Sequence, residues 1–181
     1  RGVSAFLPPH QRQILTTASL SKALGCHGGV VLGDEKILDS VSRQGHIWQA
    51  HTPLPPSIAY SAWRNLLWLK DHPDHLASLE KRTASFNSIW TSFQQSFLEF
   101  PIVTLSTTSQ KALQEVKQHL TEAGIYPPHI HYPHGAPHGL FRFSWSTGHT
   151  LEDVDLLANT LSGLVSNGLA GHFKLSYEPI S

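Results

Sequence analysis

The sequence has no methionine and one cysteine, Cys26, and charged side chains make up only 14% of its 181 residues. Each shortage excludes something. A single cysteine cannot form an intrachain disulfide, so no disulfide framework holds this fold. It fits a reducing compartment, and the cytoplasm is the expected location. A translated chain normally opens on methionine, so "RGVSAFLPP" reads as the start of a processed or partial chain. Charge is scarce against the roughly one quarter usual in ordinary domains, so an oligomer contact is expected to cover some of the surface. Thirteen Lys and Arg balance thirteen Asp and Glu, for a net charge of zero. A protein that grips the phosphate backbone needs a basic surface, so no nucleic-acid partner is expected. The thirteen histidines add little charge at pH 7. No apolar run reaches the about 20 residues that span a bilayer, so no membrane partner is expected either.

What is present is enough for one hydrophobic core, or a core with a small appendage. Residues 1–13 read as loop, broken by Pro8-Pro9. The β-branched stretch 13–19 predicts a short strand, and 28–33, "GGVVLG", a short buried one. Residues 34–45 predict a helix with an acidic start and Gly45 as its stop. "TPLPP" is a rigid bend, with Pro56 suited to the first turn of a helix over about 57–70. That helix is apolar on several sides and is expected to be buried. After "DHPDH", apolar residues from Leu76 to Phe97 recur at three- and four-residue spacing and predict a long helix over about 74–98.

The remainder reads β-α-β-β-α. Strands are predicted at 102–108, 128–133 and 139–146. In the last, Phe141, Phe143 and Trp145 alternate with Leu140, Arg142 and Ser144, so the aromatic face turns inward. Helices are predicted at 109–124, capped by Ser109 and stopped by Gly124, and at 150–168. Thr150 with Asp153 three residues on is the signature of a capped helix start. Strands alternating with covering helices indicate an α+β module of roughly 80 residues.

The chemistry centres on "TTASLSKALGCHGGVVLG", residues 16–33. Lys22 is either a solvated lysine near a turn or an amine presented to a bound molecule. Hydroxyls precede and flank it, at Thr16, Thr17, Ser19 and Ser21, and glycines follow at 25, 28 and 29. Small residues let a flat ligand approach the backbone, and hydroxyls with N–H groups suit a phosphate. A lysine beside a phosphate-anchored aldehyde is what pyridoxal phosphate chemistry needs. The spacing of a Walker phosphate loop is absent. Cys26, beside a glycine turn, reads as a small filler rather than a nucleophile. No spacing supports a Ser/His/Asp triad.

This stretch resembles the lysine segment of fold-type I pyridoxal phosphate enzymes, and most closely the α-oxoamine synthase family. That family joins an amino acid to an acyl-CoA with loss of CO2. Two further pieces follow in the family's order. "HTPLPPSIAYSA" is similar to its Ser-Thr-x-x-Pro-Pro segment at Thr52, Pro55 and Pro56, with His51 where serine is common. "GLFRFSWSTGHTLEDVDLL" is similar to its closing motif, with Gly148 in place of an alanine. The resemblance implies an α/β fold, namely part of a fold-type I transferase. Residues 1–56 would belong to the large cofactor domain, 57–98 would be connecting helices, and 99–181 the small α+β domain. It implies pyridoxal 5'-phosphate as cofactor and an amino acid and an acyl-CoA as substrates. Lys22 would be the Schiff-base lysine and Ser19 would hold the phosphate. Thr52 would reach the phosphate of the other subunit in a homodimer, and Arg142 would bind the substrate carboxylate. His149 and Thr150 would shape a helix start.

The resemblance maps this chain onto the back half of a longer protein. The Asp that pairs with the pyridine nitrogen, the ring-stacking His and a Gly-rich loop would precede Arg1, so this chain alone is expected to be inactive. Among the family's branches the biotin-pathway one ranks first, ahead of the glycine C-acetyltransferase and sphingolipid types. A related fold-type I aminotransferase and a non-catalytic dimerisation fragment are the rivals. In "HIHYPHGAPHG", His129 and His131 share a strand face. With no carboxylate or cysteine among these histidines, no metal site is expected.

Overall fold

A computed structural model of the chain describes residues 15–46, 52–90 and 100–169, and the backbone of 172–175. The expected loop at 1–13, His51 and the helical turns expected beyond Trp90 lie outside the described residues. The chain forms two compact units, Arg1–His72 and Pro73–Ser181.

In the first unit, strand β1 (Thr16–Ser19) pairs antiparallel with β2 (Gly29–Leu32), from Thr16↔Leu32 to Ser19↔Gly29. Helix α1 (Glu35–Gln44) follows at once. Asp34 caps it, its carboxylate accepting from Lys36 N at 2.9 Å. Helix α2 (Pro56–Asp71) starts on proline, which needs no hydrogen-bond donor in a first turn. Two burial expectations fail here. In β2, Gly29 and Leu32 are exposed and Val30 and Val31 half-buried. In α2 only Ala62 is buried, whereas Tyr60, Trp63 and Leu66 are each more than half exposed. The reason is supply of surface. A two-stranded ribbon can cover one narrow stripe of a helix, not several sides of it.

The second unit is a two-layer α+β structure. Helix α3 (Pro73–Trp90) leads to β3 (Ile102–Ser106), α4 (Gln110–Glu122), β4 (His129–Ile130), β5 (Leu140–Ser144), α5 (Leu151–Ser166) and β6 (His172–Leu175). The strands form one antiparallel sheet, ordered β4-β5-β3-β6. On one face Val103 opposes Phe143 and Leu105 opposes Phe141, all buried. Phe86 of α3, Val116 of α4 and Leu161 of α5 join them in a single core. The other face carries Thr104 opposite Arg142, both half-buried. Period-two alternation thus sends the aromatics inward, as expected, and leaves Arg142 on the face away from the core.

Two elements differ from the sequence expectation. β4 has two residues rather than six. Proline cannot donate to a ladder, and the chain turns at Tyr132–Gly135, where Gly135 N donates to Tyr132 O at 3.0 Å. β6 is an additional strand.

Local chemistry explains the helix ends. Ser109 Oγ accepts from Ala112 N at 3.1 Å to start α4, and Gly124 at φ +75° ends it, with Ile125 N returning to Leu120 O. At α5 the capping box is complete. Asp153 N donates to Thr150 Oγ1 at 3.1 Å, and Thr150 N donates to Asp153 Oδ2 at 2.8 Å. Thr150→Ala is expected to cost about 1 kcal/mol, read from the urea midpoint. The Thr150 backbone and then its side chain hold the Asp153 carboxyl below its ordinary 3.8. The folded value is the depressed one, so this contribution is complete above pH 3.8 and is lost as pH falls through the folded value. Asp153→Asn should remove that part of the acid-side loss.

Candidate active site

The residues from Leu20 to Gly28 form the loop that closes the β1–β2 hairpin. Its base is tied by main-chain bonds. Leu20 N donates to Gly28 O at 2.9 Å, and Cys26 N donates to Leu20 O at 2.8 Å. Leu20 itself is buried. At the tip, Gly25 N donates to Lys22 O at 2.9 Å, and Gly25 takes φ +58°, a left-handed value that glycine adopts without strain. Lys22 is therefore the first residue of a closed turn, and it is exposed.

Ser19 ends β1. Its Oγ lies 2.7 Å from Ser21 Oγ and accepts from Ser21 N at 3.3 Å. Two hydroxyls and an amine thus stand within four residues of chain. Gly28 matters for a different reason. A Cβ there would come within 2.9 Å of Leu54 Cδ1, so the loop's return limb packs directly on the Thr52–Pro55 segment. Thr52 is exposed, two residues from that contact. Ser19 and Lys22 thus stand three residues apart in one hairpin, and Leu54 of the Thr52–Pro55 segment lies against the hairpin's return limb. This donor set suits a ligand with both a phosphate and a carbonyl: hydroxyls for the one, a primary amine for the other.

Arg142 belongs to the second unit. Its main-chain N donates to Pro128 O at 3.1 Å, which fixes this strand residue at both sheet neighbours, Thr104 on one side and the β4 limb on the other. Its half-buried side chain offers five donors in a planar fork, the geometry that matches a carboxylate. His149 and Thr150 both shape the start of α5. His149 Nδ1 accepts from Ser146 N at 3.1 Å.

Arg82 went unnoticed in the sequence. It donates through Nε to His149 O and through Nη2 to Thr147 O at 3.3 Å, and it contacts Ser78 one turn back. It thereby clamps the turn that follows β5 onto α3. No local pattern distinguishes it from any helical arginine.

The histidine segment is built around ring contacts. His129 stands edge-on to His131, with centroids 4.8 Å apart, and its Nε2 lies 2.9 Å from His138 O. A carbonyl only accepts, so this nitrogen carries the proton. The two rings line a cleft of about 380 Å³ beside Lys117 and Gln114 of α4. Among the described residues no group of three or more His, Cys, Asp or Glu is placed to hold a metal ion, and no helix is long and apolar enough to cross a membrane.

Comparison with known proteins shows the family of this chain. The family model for aminotransferase class I and II matches residues 3–161. A putative 8-amino-7-oxononanoate synthase of Aquifex aeolicus is 26% identical over 164 residues, covering 88% of this chain and 44% of that protein. Its counterpart in Rippkaea orientalis is 30% identical over 160 residues, covering 84% and 40%. Among solved structures, 8-amino-7-oxononanoate synthase from Francisella tularensis superposes with a TM-score of 0.67 at 23% identity, over 86% of this chain and 46% of that one. Serine palmitoyltransferase from Sphingomonas wittichii gives the same TM-score at 20% identity, over 86% and 41%. The chain spans less than half the length of the relatives it matches.

Proposed function

This chain belongs to the aminotransferase class I and II family and has the mixed α/β architecture of fold-type I pyridoxal phosphate enzymes, and from that premise we propose that its protein condenses an amino acid with an acyl-CoA, releasing CO2. The 8-amino-7-oxononanoate synthase reaction, a biotin-forming step, ranks first because the curated relatives carry that name. Glycine C-acetyltransferase and aminotransferase chemistry rank behind it. The observation that carries the reading is Lys22 on a closed turn, three residues after Ser19, with the Thr52 segment against the same loop.

The residues divide the work. Ser19 Oγ would donate to the cofactor phosphate. Lys22 Nζ would hold the cofactor at its carbonyl carbon and, as a free amine, would take the proton from the amino acid Cα. Arg142 would hold the substrate carboxylate through its paired N–H groups. Thr52 Oγ1 would donate to the phosphate bound by the partner copy of a homodimer. What pyridoxal phosphate supplies when bound is a sink for the electrons left by that proton or by CO2. Residues 1–56 act as part of the large cofactor domain, 57–98 as connecting helices and 99–181 as the small domain. The protein works in the cytoplasm.

Borohydride reduction in the presence of pyridoxal phosphate, followed by peptide mass analysis, tests the reading. The adduct is expected on Lys22 in the full-length protein, and its absence there overturns the reading. Release of free thiol from acyl-CoA separates condensation from transamination. Arg142→Ala should raise the amino-acid KM about 10- to 150-fold, the range for losing a hydrogen bond to a charged group. The Lys22 adduct should be unchanged in that variant.

A further inference from the structure

Asparagine is a poor residue for the middle of a helix, because its amide competes with the backbone for hydrogen bonds. Asn65 nonetheless sits midway along α2. Its amide reaches across 41 positions of sequence. Nδ2 donates to Leu24 O at 2.8 Å and lies 3.8 Å from Cys26 Sγ. Leu24 and Cys26 flank Gly25, the end of the Lys22 turn. Leu24 O also accepts from Cys26 Sγ at 3.1 Å, so two side chains converge on one carbonyl. On α2, Asn65 follows the buried Ala62 by three residues and so shares its face.

The loop's base is held by the β1–β2 pairing and by Leu20. A tip held only through its base would swing, and an amine carried on it would lose its starting position. We propose that Asn65 is the positioning residue of the Lys22 turn, its amide tying Leu24 to α2. Its role acts through the turn, and it rests on the reading of Lys22 as the cofactor-binding amine.

Three variants in the full chain test this. Asn65→Ala removes the amide, Asn65→Asp keeps the shape but cannot donate, and Asn65→Gln keeps a donor. Two readouts need no cofactor: amide hydrogen exchange over residues 20–28, and alkylation of Cys26, the one cysteine of this sequence. Both should accelerate about 2- to 10-fold in the Ala and Asp variants, the range of one neutral hydrogen bond, and less in the Gln variant. Borohydride labelling of Lys22 should fall in the same order. The thermal midpoint should hold, since alanine is the better helix former. Unchanged exchange and alkylation in all three variants would overturn the proposal, as would a loosened loop with undiminished labelling. If the unsubstituted protein takes no label while the loop still loosens in the Ala and Asp variants, the tether stands and the cofactor reading falls.

Discussion

In the full-length protein Lys22→Ala is expected to lower turnover about 10²- to 10⁴-fold, the cost of losing a positioned proton-transfer group, and to leave no borohydride-stable adduct. The substitution is clean because the turn does not depend on the side chain. Its closing bond runs from Gly25 N to Lys22 O, and its base bonds join Leu20, Cys26 and Gly28, all main chain except for the burial of Leu20. Among the described residues no hydrogen bond or ion pair runs to the exposed Lys22 side chain, so its truncation should move stability by less than about 0.5 kcal/mol. Turnover should therefore fall by that factor and the adduct vanish while the unfolding midpoint stays put. Activity retained within a factor of a few would remove Lys22 from the chemistry.

The largest structural effect is expected in the second unit, at Phe86. Its side chain is fully buried. Its ring lies 4.9 Å from that of Trp145, stacked, and 5.6 Å from that of Trp90, tilted. Truncation removes the middle of a three-ring column and leaves a cavity that neither tryptophan can fill. Phe86→Ala should cost about 3–5 kcal/mol. That is a large part of the about 5–15 kcal/mol that holds an ordinary domain. Urea unfolding followed by tryptophan fluorescence reads it directly. A loss below about 1 kcal/mol would show that the core is not organised around this ring.

Features legible in the sequence were those decided by neighbours along the chain. Thr150 and Asp153 make their box across three residues, so the start of α5 could be read from spelling alone. The inward Phe141, Phe143 and Trp145 follow from a period of two. The hairpin that carries Ser19 at the end of β1 and Lys22 in its loop is likewise local, decided within 17 residues of chain. Features decided by distant partners were not legible. The apolar residues of α2 predict burial, but burial needs an opposing surface, and the β1–β2 ribbon offers little. Arg82 and Asn65 look like ordinary helical polar residues until their partners, 67 and 41 positions away, are known. "HFKL" at 172–175 has too few residues to show a period, so β6 emerges only through its pairing with β3.

That pairing has a consequence for how the protein is made. β3 lies between β5 and β6, with Val103 opposite Leu175 and Ser106 opposite His172. Synthesis delivers β3 early and β6 late. A nascent chain released from the ribosome as far as α5 can assemble β4, β5 and β3, but one side of β3 then shows a bare row of N–H and C=O groups. Such an edge pairs with whatever extended segment arrives first, including the same strand of a neighbouring nascent chain. β6 thus moves the sheet's edge from β3 to a four-residue strand, and crowding on a polysome is where its lateness would be felt.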